Sequence, residues 1–151
     1  MEDSMSQLEK RGGRLLAVSN RAVGGLVRVG VAPHDCHELL VPGRVSGDVT
    51  ARPVNVLDVD GRRYLVSPRG SSQWVRNVRA GGEVRLRRRR STASVILVEL
   101  DDEAKPDLLR EYLRRWGWQV SAFVDGLTAD SPLADLQAAA PRFPVFEIRD
   151  A

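Results

Sequence analysis

The stretch from residue 36 to residue 100 constrains the fold most, because its short apolar runs are repeatedly ended by turn residues. Asp60-Gly61 separates two of these runs, and this dipeptide is a strong signal for a two-residue β-hairpin. With one more run near the C-terminus, the sequence predicts six strands: CHELLVPG, TARPVNVLDVDG, RRYLVSP, EVRLRRRR, STASVILVEL and PVFEIRD. Few helical segments lie between them, which favours a closed or split antiparallel β-barrel with flanking helices over a βαβ sheet. The strand STASVILVEL is predicted to be buried on both faces near its end.

Other segments carry the periodicity of helices. Residues 71–80 begin with Ser71 or Ser72 as the N-cap and end at Gly81, which predicts a short helix. A smaller helix is expected around residues 132–140. A longer helix follows Asp101, because apolar residues lie on one side of it: Leu108, Leu109, Tyr112, Leu113 and Trp116.

The N-terminal residues 6–29 are predicted to form an amphipathic helix. Apolar residues recur at helical spacing while arginines occupy the rest of the helical wheel. Two interpretations remain open. The helix packs across the domain, or it lies on an anionic membrane surface as a basic amphipathic segment.

The length of 151 residues predicts one domain, residues 1–151. Within it we expect an N-terminal helix (1–30), a barrel core (36–100), and helices with a closing strand (101–151). The single cysteine, Cys36, excludes an internal disulfide, and no apolar run is long enough for a signal peptide or a membrane span. The expected location is the cytoplasm, with attachment to the inner membrane surface as the alternative.

The basic charge does not indicate a nucleic-acid-binding protein. The formal net charge is only +3, because acidic residues are interspersed with the basic ones along most of the chain. The run from Arg85 to Arg90 is predicted to be a hairpin whose solvated tip lies around Arg88 and Arg89, with polyanion binding as the alternative.

Catalysis by the chain's own side chains has no candidate. No serine lies in a nucleophile elbow, and the HDCH tetrapeptide ending at His37 lacks companion ligands for a metal. The acidic residues Asp101, Asp102 and Glu103 are interpreted as first-turn charges of the helix that follows. We therefore expect neither a catalytic residue nor a metal site.

Two glycine-containing turns are predicted to bind an anion. The first is GRVSG at residues 43–47, where Ser46 and Gly47 offer N–H and hydroxyl donors and Arg44 offers charge. The second is SPRG at residues 67–70, directly before a predicted helix N-terminus. A plain connection between strands is the alternative for the first turn.

The order of these motifs resembles the deazaflavin-dependent nitroreductase and quinone reductase family. The likeness covers roughly residues 39–148: GRVSG, TARPV, a DG hairpin, YLVSPRG, QWVRNVRAG, a buried strand and PRFPVFEI. It implies a split β-barrel of the flavin-nucleotide-binding type and hydride transfer from reduced coenzyme F-420, an 8-hydroxy-5-deazaflavin. The acceptor would be a small molecule such as a quinone or a nitroaromatic compound. For the cofactor, flavin mononucleotide or no cofactor is the alternative. For the function, the alternative is a non-catalytic split-barrel module that binds a small hydrophobic or anionic ligand.

The resemblance also implies a set of coenzyme-binding residues. The first turn would hold the phosphate, and the second turn and the short helix would shape the deazaflavin site: Arg44, Ser46, Gly47, Ser67, Pro68, Arg69, Gly70, Trp74 and Asn77. Trp74 is equally interpreted as a core anchor, and Asn77 as a residue that caps the helix or bonds to nearby backbone.

This chain departs from the family motif at two positions. Val45 replaces a basic residue, and Thr50 replaces an arginine. Arg52 lies two residues after Thr50, so it is expected on the same strand face and is predicted to supply one contact, with Arg69 supplying another. The family's split barrels also often pair through their sheets, which leaves a homodimer open.

Overall fold

The computed structural model describes residues 36–151, which form one antiparallel sheet with three flanking α-helices. Seven strands are present in this part of the chain, so the prediction of six was short by one. The strands are β1 (Cys36–Pro42), β2 (Val49–Asn55), β3 (Leu57–Val59), β4 (Arg62–Val66), β5 (Val84–Arg88), β6 (Ser91–Glu99) and β7 (Val145–Asp150). The helices are α1 (Gln73–Arg79), α2 (Pro106–Val120) and α3 (Leu133–Ala139).

The sheet curls because its two edge strands are consecutive in the chain. The strand order is β2-β1-β5-β6-β7-β4-β3, which places β2 and β3 at opposite edges. Only Val56 separates them in sequence, so the two edges must come together. Val56 itself is buried and packs with apolar residues inside the curled sheet, such as Leu39 and Leu65. The result is the predicted split-barrel class, seen here as a curled half-barrel with helices outside.

The additional strand arises where one long strand, TARPVNVLDVDG, was predicted. Its first part pairs with β1, with Asn55 opposite Cys36, and its last part pairs with β4, with Leu57 opposite Tyr64. Each part finds its hydrogen-bond partners on a different strand. The apolar pattern of the sequence does not mark this break, because apolar residues lie on both sides of it, Val54 before it and Leu57 after it.

Two apolar clusters lie on the two sides of the sheet. The inner cluster fills the barrel and consists of Leu39, Val41, Val56, Leu65, Val84, Leu86, Val95 and Ile148. The outer cluster lies between the sheet and the helices, and α2 supplies most of its helical residues. Leu108, Leu109, Tyr112, Leu113 and Trp116 are all buried there, which confirms the predicted apolar side of this helix.

The strand β6 is less buried than its sequence predicts. Ile96 is 51% exposed, while Leu97 and Val98 are half-buried. The outer cluster draws on β3, β4 and β7 through Leu57, Tyr64 and Val145, and no residue of β6 belongs to its buried set. The helices therefore leave the outer face of β6 uncovered, and the prediction of burial on both faces is wrong.

Turns and helix ends follow the sequence closely. Asp60 and Gly61 both have positive φ, 51° and 78°, as a two-residue hairpin turn of the primed type requires. The arginine-rich hairpin turns at Arg89 and Arg90, one residue later than predicted, with Arg88 opposite Ser91 in the last strand pair. The two short helices are confirmed, with Ser72 before α1 and Pro132 before α3.

The predicted N-terminal helix and the HDC residues before His37, apart from the backbone of Cys36, lie outside the described residues. Among residues 36–151, no helix has the length and apolar character needed to cross a membrane.

Candidate functional site

The site is built around α1, a helix of seven residues that connects β4 to β5. Val75 anchors it with a fully buried side chain, and Trp74 packs against Phe146 with ring centroids 5.7 Å apart. The turn at residues 67–70 leads into α1 directly. The turn at residues 43–47 reaches α1 through side-chain contacts. The structure thus brings the two predicted turns to the same short helix.

The first turn, residues 43–48 between β1 and β2, is exposed and held by its own backbone. The Gly43 N–H donates to the Asp48 carbonyl at 2.8 Å, and the Gly47 N–H donates to the Gly43 carbonyl at 2.9 Å. The Ser46 hydroxyl oxygen accepts a bond from the Asp48 N–H at 3.1 Å. Gly47 has φ 80°, which glycine adopts without strain.

Arg44 joins the first turn to α1. Its backbone N–H donates to Asn77 Oδ1 at 3.1 Å, and its Nη1 donates to the same Oδ1 and to Gln73 Oε1, each at 2.8 Å. Asn77 is only 6% exposed, so the turn is held against a buried amide. Arg44 therefore has a defined orientation although it lies in an exposed loop.

Several donors of the first turn remain open. Within the described part of the chain, the backbone N–H groups of Val45 and Ser46 donate no hydrogen bond, and no carboxylate pairs with the Arg44 guanidinium. Val45 is 92% exposed. One guanidinium with uncommitted N–H groups and two free backbone donors match what a phosphate group accepts.

The second turn, residues 67–70, has the opposite character. Ser67 is 1% exposed, and its hydroxyl donates to the Gly70 carbonyl at 2.6 Å. The Ser67 N–H donates to the Pro144 carbonyl, and the Ser72 N–H donates to the Gly70 carbonyl. Gly70 again has positive φ, 78°. The hydrogen-bonding groups of this turn are largely satisfied within the protein, so its main role is to place α1.

The side chains of Pro68 and Arg69 point toward the outer cluster. Pro68 lines a small apolar cavity beside Tyr112 and Phe143. The Arg69 guanidinium lies 5.4 Å from the centre of the Phe123 ring, just after the end of α2.

Thr50 and Arg52, which follow the GRVSG turn in the sequence, both lie on the strand β2. Thr50 and Arg52 lie opposite Val41 and Leu39 of β1, so they share the barrel's inner face, as predicted. The Thr50 hydroxyl donates to the Val41 carbonyl at 2.9 Å. Arg52 is half-buried and lies three register positions, or about 10 Å, from the base of the first turn.

The two ambiguous residues of α1 have different surroundings. Trp74 packs half-buried against the inner cluster, as a core anchor does, yet its indole N–H donates no hydrogen bond within residues 36–151. Asn77 bonds to Arg44, 33 residues away in sequence. The interpretation of Asn77 as a local cap or local backbone partner is therefore wrong.

Sequence analysis missed Gln73. It bonds to Arg44 from the first position of α1 and lies four residues before Asn77. Residues at this spacing share one helix face, so the position of Asn77 contained a signal for Gln73.

One ion pair lies at the end of α1, and one buried tyrosine lies on α2. Arg79 and Glu99 form a bidentate ion pair, in which Nε donates to Oε1 at 2.9 Å and Nη2 donates to Oε2 at 2.6 Å. These hydrogen bonds lower the pKa of Glu99 and raise the pKa of Arg79. Arg79 Nη1 also donates to the Ser71 hydroxyl at 3.1 Å, which ties the end of α1 to its beginning. Burial raises the pKa of Tyr112, although a hydrogen bond with Asn55 acts in the other direction.

The fold and this arginine-bearing turn define a split β-barrel with a candidate anion seat. The family model described as F420H(2)-dependent quinone reductase matches residues 14–122, and the chain belongs to this family. It is accordingly an oxidoreductase, a deazaflavin-dependent reductase whose coenzyme is F-420 and whose electron acceptor is a small molecule.

Solved structures share the fold. A protein described as a domain-swapped dimer is 16% identical, with TM-score 0.54 over 97% of this chain and 99% of its own. An F420-H2-dependent reductase, FDR-A, is 16% identical, with TM-score 0.50 over 77% and 95%. A Clostridium acetobutylicum protein of the pyridoxinephosphate oxidase family is 12% identical, with TM-score 0.53 over 91% and 84%. No curated protein matches the chain.

Proposed function

We propose that the protein transfers a hydride from reduced coenzyme F-420 to an electron-poor acceptor such as a quinone or a nitroaromatic compound, and that the first turn seats the coenzyme phosphate. The observation that carries this proposal is Arg44, which is fixed against Asn77 while its remaining guanidinium N–H groups stay uncommitted. Family membership supports the coenzyme and the reaction class.

The residues present fit a phosphate. Arg44 supplies a permanent positive charge, and the N–H groups of Val45 and Ser46 supply two neutral donors beside it. Ser46 can donate its hydroxyl proton while its oxygen accepts the Asp48 N–H. Arg52 would add charge from the neighbouring strand. Gly47 lets the loop take its shape without a side chain toward the ligand.

The remaining residues would orient and enclose the ring system. Trp74 offers an aromatic edge and an unpartnered N–H, and the turn at Ser67–Gly70 fixes the direction in which α1 presents that side chain. The bound coenzyme supplies the hydride, so the chain's own residues need only bind, orient and exclude water.

Two titrations test this proposal. Oxidised coenzyme F-420 and, separately, flavin mononucleotide are added to the full chain, and their fluorescence is followed. We expect F-420 to bind more tightly. In a second assay, reduced F-420 is mixed with menadione, and absorbance reports oxidation of the coenzyme. Turnover equal to the protein-free control, with no binding at millimolar coenzyme, would favour a non-catalytic module that holds a hydrophobic or anionic ligand elsewhere in the barrel.

We further propose that two copies pair through the outer face of β6. Ile96 is exposed there, and β7 places Arg149 and Glu147 beside it, opposite Ile96 and Val98. Glu147 is buried and paired with Arg149 at 2.9 Å, which leaves an exposed apolar residue beside an exposed arginine. Such a patch suits a two-fold interface, in which the same patch meets itself. Light scattering of the parent and of Ile96→Glu tests this, and a monomeric parent would rule it out.

The remaining proposals concern organisation and location. We propose a single domain over residues 1–151 in the cytoplasm, in which residues 1–30 pack on the domain, with weak contact of this segment with the inner membrane surface as the alternative. Sedimentation of the full chain with vesicles of anionic or neutral lipid tests the contact, and equal sedimentation with both would count against it.

A further inference from the structure

We infer that Asn77 is a positioning residue, which acts on the coenzyme phosphate through Arg44 and not by direct contact. This inference rests on the proposed phosphate seat. It concerns a residue that the family resemblance places simply among the coenzyme-binding set, and for which the structure indicates a more specific task.

The amide oxygen of Asn77 is already committed. Oδ1 accepts the Arg44 backbone N–H at 3.1 Å and Arg44 Nη1 at 2.8 Å. A carbonyl oxygen has two lone pairs, so these two bonds use its full capacity. An amide oxygen also repels an anion and cannot bind a phosphate. The part of Asn77 that is engaged therefore faces Arg44, not the ligand.

The two bonds hold Arg44 at two points. One fixes the backbone of the loop, and the other fixes the guanidinium at the end of the side chain. Gln73 accepts a further bond from the same nitrogen, Nη1. This leaves Nε and Nη2 for a ligand. A free arginine side chain would lose rotational entropy on binding a phosphate, so fixing it beforehand increases affinity without any new contact.

The burial of Asn77 makes this arrangement stiff. Asn77 is 6% exposed, and the fully buried Val75 anchors the same helix, so the Asn77 amide lies on a well-packed element beside the loop. Gln73, by contrast, is exposed. We therefore assign the positioning role to Asn77 and a supporting role to Gln73.

A double-mutant cycle tests the inference. Oxidised coenzyme F-420 is titrated by fluorescence into the parent, Asn77→Leu, Arg44→Ala and the double variant. Asn77→Leu should raise Kd about tenfold, the lower part of the range for a hydrogen bond to a charged group. In the Arg44→Ala background the same substitution should raise Kd clearly less than in the parent, because the guanidinium that Asn77 positions is gone and only its bond to the backbone N–H of residue 44 remains to be lost.

One readout does not depend on the phosphate seat being correct, and a second tests whether Asn77 acts on the phosphate end of the coenzyme. Hydrogen exchange of the Arg44 backbone amide should accelerate in Asn77→Leu, since its acceptor is lost. Phosphate-free 8-hydroxy-5-deazaflavin should bind the parent and Asn77→Leu equally. Gln73→Ala should weaken F-420 binding slightly, and the matched control Gln119→Ala should leave it unchanged, because that exposed glutamine bonds to Asn55 on another element.

The outcomes distinguish failure of the positioning role of Asn77 from failure of the proposed phosphate seat. If Arg44→Ala leaves Kd unchanged, the phosphate seat itself is wrong. If Arg44→Ala weakens binding and the two losses add in the double variant, Asn77 contacts the coenzyme directly through Nδ2, and the positioning role is overturned. Should Asn77→Leu fail to fold, Asn77→Ser retains a polar group too short to reach Arg44, and it is expected to give the same non-additive result.

Discussion

The two turns beside α1 look alike in sequence and differ in structure. Each combines a serine, an arginine and a glycine with φ near 80°, at Gly47 and Gly70. The turn at residues 43–47 is mostly exposed and leaves donors open, whereas the turn at residues 67–70 is half-buried, with Ser67 fully buried, and bonds to itself and to Pro144. The same residue types therefore serve an outward-facing function in one place and a structural function in the other.

The difference teaches that donor inventory alone does not identify an anion site. A hydroxyl or an N–H group can bind a ligand only if it does not already hydrogen-bond within the protein. Ser67 is buried, so its hydroxyl bonds to the Gly70 carbonyl and is not available to a ligand. Exposure leaves the Val45 and Ser46 donors to solvent or to a ligand. Substitutions in the two turns test this contrast.

The largest effect is expected at Arg44. Arg44→Ala should weaken binding of coenzyme F-420 by about 1.5–3 kcal/mol, the usual contribution of a hydrogen bond to a charged group, while the unfolding midpoint changes little. A fluorescence titration measures the first and urea unfolding the second. Arg89→Ala, which removes an exposed arginine from a distant hairpin, is the control and should change neither.

Ser67 should show the reverse pattern. Ser67→Ala removes the buried donor to the Gly70 carbonyl and should lower the free energy of unfolding by about 1–2 kcal/mol. Binding of the coenzyme to the folded protein should be nearly unchanged. The exposed Ser46→Ala is its counterpart, with little effect on unfolding and weaker binding. Equal binding losses in the two serine variants would contradict the distinction between the turns.

The two glycines allow a matched comparison of backbone strain. An added Cβ meets no atom within 4 Å at Gly47, and at Gly70 it meets only the Arg142 carbonyl at 3.5 Å. Both Ala variants should lose about 1 kcal/mol of stability, because positive φ is strained for alanine. Only Gly47→Ala should also weaken F-420 binding. A binding loss at Gly70 as large as that at Gly47 would mean that the second turn also touches the coenzyme.

The smallest effect concerns the ion pair that holds the end of α1. Arg79 lowers the pKa of Glu99 below its ordinary 4.5, so the pair stabilises the fold at neutral pH. This stability is present above pH 4.5 and is lost as pH falls through the pKa of the folded state. Glu99→Gln should cost less than about 1 kcal/mol at pH 7, because the pair is partly exposed. The difference in melting temperature should shrink as pH falls below 4.5, and a constant difference at all pH values would exclude this cause.

Much of the fold could be predicted from local patterns. The Asp60-Gly61 hairpin, the apolar side of α2 and the start of α1 depend on residues that are near one another in sequence, and each was confirmed. The break at Val56 could not be predicted, because it depends on which distant strand each half of the segment pairs with. The exposure of Ile96 likewise depends on where the helices end on the sheet.

Within the candidate site, sequence by itself determined which residue types are present: the arginine and glycines of two turns, and a short helix after the second one. The tertiary structure alone decided that Asn77 and Gln73 would meet Arg44, 33 and 29 residues away, and that Ser67 would be buried while Ser46 stayed exposed. The physical reason is that a donor's availability depends on its surroundings. Those surroundings are set by the packing of α1 between strands, and no local pattern in the chain encodes that packing.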